Sequence, residues 1–372
     1  MGGSCGKTPQ TAPAPAPTRT SSTTAPAAPP PWSAEALKEA VDAMPAVLKG
    51  LGNNLKPSRP MPQAPSAARA TAMFDWEFDV FSVPYSELPE LAYAALTAHP
   101  ELSATISKID HGKLWRYLCE LASFYHARPF HSFRHGVDVL LATSTLLRLV
   151  LRDKPDAIGD PIVVGALLVA ALAHDVNHPG CMNGYLIATK HPLAEASSTA
   201  VLERHHAEVA LTLLDTPKLD FLADLPEADR ARFVSTVREA VMATDVTTSV
   251  PKAKEFQALC EGGDTPTPTQ VFSLIIKAAD ISNPARSLPV YEKWIDGVMT
   301  EFFVQGDAEA AAGLPFSMNC DRASVVVSKS QVGFITFLVA PLFHALLVFA
   351  PSIAPIVQML DGNKAHFAAI AA

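Results

Sequence analysis

Apolar residues recur at helical spacing along most of this chain. Leu114, Tyr117, Leu118, Leu121 and Phe124 form one stripe; Val137, Leu140, Leu141, Leu147 and Leu151, with the small Ser144, form a second; Phe233, Val237 and Val241 form a third. Strict alternation, the mark of a half-buried strand, is sustained nowhere. The pattern predicts an all-α fold, a compact multi-helix domain, with loops near 152–160, 215–228, 246–268 and 305–316.

Two apolar stretches need separate reading. Pro161–Ala173 carries no charge, but it is shorter than the roughly 20 residues a spanning helix needs. It reads as a core helix that runs directly into His174-Asp175. Val332–Leu360 is longer, yet Pro341, His344, Pro351, Pro355 and Gln358 interrupt it, which favours two or three buried helices over one membrane span.

Residues 1–70 are crowded with Pro, Ala, Ser and Thr, and such a segment cannot bury enough apolar surface to offset its ordering entropy. It reads as a disordered low-complexity tail holding one short helix within 33–50, where Ala36, Leu37, Ala40, Val41, Met44 and Leu48 keep a roughly helical spacing. The globular domain is placed at 71–361, opening at Phe74-Asp75-Trp76. Residues 362–372 are left as a short C-terminal tail.

Composition narrows the function. A chain of 372 residues can build a sizeable core. Its formal charge of −8, with no Lys/Arg-rich stripe, excludes a nucleic-acid binder held by phosphate neutralisation, so a small substrate is expected. The odd set Cys5, Cys119, Cys181, Cys260 and Cys320 has no C-x-x-C spacing and fits a reducing, intracellular compartment. The start lacks the features of an export signal, and a cytoplasmic location is expected. The opening MGGSCGKT ends like a phosphate-binding loop but has Met1 where the first glycine belongs, and no strand precedes it. As an acylation signal it offers Gly2 and Cys5, the one route by which membrane association is expected. Oligomeric state is left open.

The chemistry sits in histidines and aspartates. Eight of the 12 histidines lie between His126 and His206, too concentrated for independent placement on solvated faces. His131 and His135 are four apart, as are His174 and His178, so on helices each pair shares a face. Adjacent His174 and Asp175 would project about 100° apart on a helix, one toward one metal and the carboxylate toward a second. Asp280 lies beyond the apolar run from Ser273 to Ala279, where an unpaired charge is expensive and a cation is its natural partner. Neutral imidazoles with carboxylates hold borderline and hard divalent ions, so the set reads as a hydrolytic metal centre.

Six ordered motifs then match a known family. The strings FHSFRHGVDV at 130–139, AHDVNHPG at 173–180, LERHH at 202–206, ATD at 243–245, ADISNP at 279–284 and SQVGF at 330–334 resemble the catalytic domain of class I cyclic nucleotide phosphodiesterases. The similarity runs from about Phe74 to Leu360. It implies that His135, His174, Asp175 and Asp280 hold a tightly bound zinc, with Asp175 bridging to a second ion, magnesium or manganese. It implies that His178, Glu203 and Thr244 orient waters there, that His131 is the general acid, and that Glu203 keeps its imidazole oriented and charged. A hydroxide bridging the two ions would then attack the cyclic phosphate of cAMP or cGMP, giving a nucleoside 5′-monophosphate. Gln331 and Phe334 match the pair that grips the purine, Val298 and Phe302 look like further walls of that slot, and Asn283 matches a base-edge contact.

Phe130 stands where the family usually has tyrosine, Ser132 where asparagine is usual, and Asn177 where aspartate is frequent. None removes a metal ligand, so changes in rate are expected instead of loss of activity. Two alternatives remain: an HD-type phosphohydrolase of another nucleotide or phosphate ester, and a cyclic nucleotide sensor with weak or absent chemistry.

Overall fold

A computed structural model describes residues 1–2, 32–52, 55–56, 59–63, 71–99, 105 and 108–372. The acylation and phosphate-loop motifs beyond Gly2, with most of the Pro/Ala-rich stretch, lie outside the described residues. The compact body runs from Trp32 to Ala372, and its described residues form helices joined by turns, with no strand among them, as the apolar periodicity predicts.

In chain order the helices are α1 (Ala34–Gly50), α2 (Leu88–Thr97), α3 (His111–Phe124), α4 (Phe133–Asp153), α5 (Pro161–Ala173), α6 (Asn183–Ala188), α7 (Pro192–Ala196), α8 (Val201–Leu214), α9 (Glu227–Met242), α10 (Val246–Glu261), α11 (Pro268–Asp280), α12 (Leu288–Ala311), α13 (Val327–Phe334), α14 (Ala340–Phe349) and α15 (Ala354–Ala371). Local chemistry sets many of the starts. Asp110, Asp160 and Asp245 accept hydrogen bonds from the first-turn amides of α3, α5 and α10. Thr267 and Gln270 form a reciprocal capping box at α11, with Pro268 in its first turn.

α5 is the centre of the fold. It is apolar on every side, which suits only a helix surrounded by others, and Leu167, Leu168 and Leu172 are fully buried between α4 and α9. Burying each such side chain stabilises the fold by about 1.5–3 kcal/mol. Tyr125 donates its hydroxyl to the Leu172 carbonyl at 2.7 Å and accepts from the Asp175 amide at 3.3 Å. The end of α5 is thereby pinned where His174 and Asp175 leave it.

Several boundaries differ from the sequence reading. Residues 246–261 form a helix, although Val246, Thr247, Thr248, Val250 and Pro251 are poor helix formers; the Asp245 cap and burial of Ala253 and Phe256 override that propensity. α12 continues through 305–311 because Gln305, Ala308 and Glu309 are buried, with Gln305 donating to Glu309 at 2.7 Å. α1 is a docked helix instead of part of a loose tail: Trp32, Leu37, Val41 and Met44 pack with Tyr185, Leu186, Leu202, Val304 and Ala308. Nor is 362–372 a separate tail. α15 extends to Ala371, and Asn363 donates to the carbonyls of Pro284 and Arg286, at 2.7 Å each.

The run Val327–Phe349 is long and apolar enough to cross a membrane by length and composition. Its Ile335, Val339, Leu342, Phe343 and Leu346 are buried in the main core. Pro341 does not break it as expected. A π-helical turn over Ile335–Val339 precedes the proline and relieves the clash its ring would make in a regular helix.

Candidate metal centre and proton donor

His135, His174, Asp175 and Asp280 converge so that one ligand atom from each lies within 4.8 Å of all the others. They come from α4, from the turn that ends α5 and from the last residue of α11. The Nε2 atoms of His135 and His174 stand 3.3 and 3.2 Å from Asp280 Oδ1, and 3.5 and 3.2 Å from Asp175 Oδ2. His174 Nδ1 bonds to the Ala171 carbonyl at 2.9 Å, which turns Nε2 inward.

Two nitrogens and two carboxylates suit a divalent ion in a site of this size. A second observation agrees. The other oxygen of Asp175 faces His206, whose Nε2 is 3.8 Å away, buried and without a hydrogen-bond partner among the described residues. Asp175 thus presents its two oxygens to two separate groups, as a bridging carboxylate would.

The two carboxylates also set the protonation of His174. Burial disfavours the His174 cation, but Asp175 and Asp280 outweigh it and raise the imidazole to about 10. Asp175 and Asp280 are held well below the usual carboxylate range: burial pushes each up, and His174 with its neighbours, including Lys277 at Asp280, pulls further down. A metal needs the His174 Nε2 lone pair, so binding at pH 7–8 releases about one proton, and apparent affinity rises with pH up to about 10. Calorimetry in two buffers of different ionisation enthalpy measures that proton; an enthalpy independent of buffer would contradict the assignment.

The argument that Asp280 needs a cation is met partly by the chain itself. Lys277, one turn earlier and buried, places Nζ 2.8 Å from Asp280 Oδ2 and also donates to the Thr244 carbonyl. That leaves Oδ1 for the imidazoles. Thr244 is tied to the centre through this carbonyl, while its hydroxyl donates to Val241 O at 2.7 Å.

The helical-face argument for the histidine pairs does not hold in detail. His131 precedes α4, with Ser132 at its N-cap, and His174–His178 form a turn beyond α5 in which Asn177 takes a left-handed φ of 63°. The rings nevertheless meet. His131 stacks on His178 with centroids 3.8 Å apart and 15° between planes, and lies 6.1 Å from the His135 ring.

The partner of His131 is Glu301, not Glu203. Glu301 is buried on α12; its Oε2 lies 2.5 Å from His131 Nδ1, and its Oε1 accepts from the Phe130 and His131 amides at 2.7 and 2.8 Å. Such closeness requires a glycine: a Cβ at Gly297 would come within 2.7 Å of the Pro129 carbonyl. Glu203 instead accepts from Asn183 at 2.9 Å, and burial raises its carboxyl despite that bond. Burial also opposes the His131 cation, but the charge and hydrogen bond of Glu301, with Asp175 and Asp280, overcome it, so the imidazole is raised. The site sets a carboxylate-paired imidazole beside four converging candidate ligands.

Residues 130–360, well over half of the chain, match the 3′5′-cyclic nucleotide phosphodiesterase family. This chain belongs to that family. Curated relatives agree. A protein of Caenorhabditis elegans named a probable 3′,5′-cyclic-AMP phosphodiesterase is 33% identical over 314 residues, covering 78% of this chain and 45% of its own length. Calcium/calmodulin-dependent dual-specificity 3′,5′-cyclic nucleotide phosphodiesterases 1B of mouse and 1C of human are each 34% identical, covering 73% of this chain and 51% and 39% of theirs. The chain thus spans about half the length, or less, of these relatives.

Elsewhere in this phosphodiesterase domain, Gln331 and Phe334 share α13, as their spacing predicts. Gln331 is buried, and its Oε1 accepts from the Tyr291 hydroxyl at 2.7 Å. Val298, Phe302 and Phe334 are half-buried against the core. Asn283 is buried in the turn after α11, and its Nδ2 has no hydrogen-bond partner among the described residues. Phe130, in place of the usual tyrosine, lays its ring 4.6 Å from that of His135. Asn177 joins His126 at 3.0 Å to His205 at 2.9 Å.

Glu301, Lys277 and Tyr291 were not singled out from the sequence. A signal existed for the first: Glu301 lies three residues beyond Val298 and one before Phe302, an acid inside a stripe already assigned to a binding slot. Lys277 stood in plain view within the apolar run before Asp280. Tyr291 had none, since its hydroxyl meets α13 only through the fold.

Proposed function

We propose that this chain hydrolyses 3′,5′-cyclic nucleotides to nucleoside 5′-monophosphates, with His131 delivering the proton to the departing 3′ oxygen. The observation that carries this reading is the Glu301–His131 contact beside the ligand cluster. In this reading His135, His174, Asp175 and Asp280 hold a zinc ion, and the far oxygen of Asp175 contributes to a magnesium or manganese site near His178 and His206. Ions held there supply Lewis acidity to the phosphate and acidify bound water.

The chain's own residues do the rest. Glu301 accepts a hydrogen bond from the Nδ1–H of His131, so Nε2–H faces the leaving oxygen, and the carboxylate charge favours the imidazolium until the 3′ oxygen takes the Nε2 proton. Glu203, His178 and Thr244 serve as groups that order water around the ions. Gln331 offers its amide to the purine edge, and Phe334 its ring to the purine face. A hydroxyl both donates and accepts, so Tyr291 can anchor Gln331 in either amide orientation; that geometry suits adenine and guanine alike.

The test uses the whole chain, since Trp32–Leu51 packs onto the domain. Supplied with Zn²⁺ and Mg²⁺ or Mn²⁺, it should convert cAMP, cGMP or both to the 5′-monophosphate, followed by ion-exchange chromatography. A metal-loaded protein that hydrolyses only other phosphate esters would favour the HD-type phosphohydrolase, and one that binds cyclic nucleotide without turnover would favour the sensor.

A further inference from the structure

Trp32 lies far outside the residues that match the family, yet a series of contacts joins it to the histidine assigned above as proton donor, and the inference rests on that assignment. The indole is buried and lies over the Arg128 guanidinium, 3.7 Å from Cζ to the ring centre. It also fills the space above Gly180, where a Cβ would fall 2.7 Å from the ring and where φ is +92°. Arg128 Nε donates to the Pro179 carbonyl at 3.0 Å, and the Gly180 amide donates to His178 Nδ1 at 3.0 Å. His178 then stacks on His131.

The other side of His131 has a similar brace. α1 packs against Val304 and Ala308 of α12, the helix that carries Glu301. One hydrogen bond at Nδ1 fixes the imidazole's hinge but leaves the ring free to tilt about it. The face of His178 limits that tilt on one side, while the Phe130 ring meets the imidazole edge-on at 4.8 Å.

We propose that Trp32 is a positioning residue for the reaction: by seating Arg128 and the turn of residues 178–180, it holds the His178 ring against His131. The proton donor of this phosphodiesterase is therefore aligned by a segment from the N-terminal region. A purely structural Trp32 would cost stability and leave turnover per folded molecule unchanged. A positioning Trp32 acts on kcat, because misplacing a catalytic group by about 1 Å can cost 10²-fold, while the purine-binding residues are untouched.

The test compares the full-length chain with Trp32→Ala, Trp32→Phe, Arg128→Met and the double variant Trp32→Ala/Arg128→Met, all loaded with metal. Trp32→Ala should lower kcat by about tenfold or more with KM changed less than about threefold, and Trp32→Phe should recover most of the loss. Arg128→Met, which keeps the indole seated, should reproduce the loss, and the double variant should be no worse than either single one. Imidazole NMR should show the His131 and His178 resonances losing their stacking shift in both single variants. A folded Arg128→Met or Trp32→Ala protein with kcat within twofold of the parent, or losses that multiply in the double variant, would overturn the proposal. If the parent turns over no cyclic nucleotide, the activity reading fails by itself, and unshifted ring resonances in the variants would then reject the positioning role separately.

Discussion

Replacing His131 with alanine should lower turnover of cyclic nucleotide by about 10²–10⁴-fold while the protein still takes up metal. The reason is geometric. His131 contributes to a different group, with His178 and Glu301, from the four residues that form the ligand cluster. Removing it should take away the proposed proton donor and none of the four residues of that cluster. Glu301→Gln tests the same device from behind. A glutamine oxygen can keep the two amide bonds that Oε1 accepts, but its NH2 in place of Oε2 cannot accept from the His131 Nδ1–H, and it carries no charge to hold the imidazolium. The sign follows from the raised pKa of His131: its acid form persists to higher pH in the parent, so the variant should lose activity at lower pH as well as in absolute rate. Steady-state pH profiles with metal content measured on the same samples decide the matter. Turnover of His131→Ala within tenfold of the parent would sink the assigned role.

Asp280→Ala should lose metal and activity together, and should destabilise the fold as well. Asp280 is a member of the ligand cluster and the partner of a buried ammonium. Its removal leaves the buried Lys277 ammonium with the Thr244 carbonyl as its one remaining hydrogen-bond acceptor among the described residues, and deleting one member of a buried pair costs about 3–5 kcal/mol. Asp280→Ala/Lys277→Met removes both charges and should regain much of that stability while regaining no metal. Atomic absorption after dialysis and thermal melts in chelator separate the two effects. Stoichiometric metal in Asp280→Ala would show that the ion is held elsewhere.

The contrast between Glu203 and Glu301 shows how far the sequence could be read. Both are acids at helical positions, and motif order favoured Glu203 because it sits in LERHH, beside His205 and His206. Only the approach of α12 to residues 129–131, made possible by Gly297, puts a carboxylate on His131, and that approach joins residues about 170 positions apart. The convergence of His135, His174, Asp175 and Asp280 was legible because each lies in or beside a motif whose order and spacing survive in the sequence. The convergence of the histidines was legible too, although the reason offered for it, a shared helix face, was not the one the fold uses.

The same division holds for the architecture. Periodicity by itself determined the all-α class and the stripes on α3, α4 and α9, since amphipathic helices write their buried face into local spacing. It determined α1 as a helix from Ala36, Leu37, Val41 and Met44, and α5 as a core element from its lack of charge. Tertiary structure decided what those helices touch. The docking of α1, the helical state of 246–261, the persistence of α12 past Gln305 and the Lys277–Asp280 pair each depend on burial against distant partners. Such partners leave no periodic trace near the residue they stabilise, because burial is a property of the assembled surface and not of the local chain.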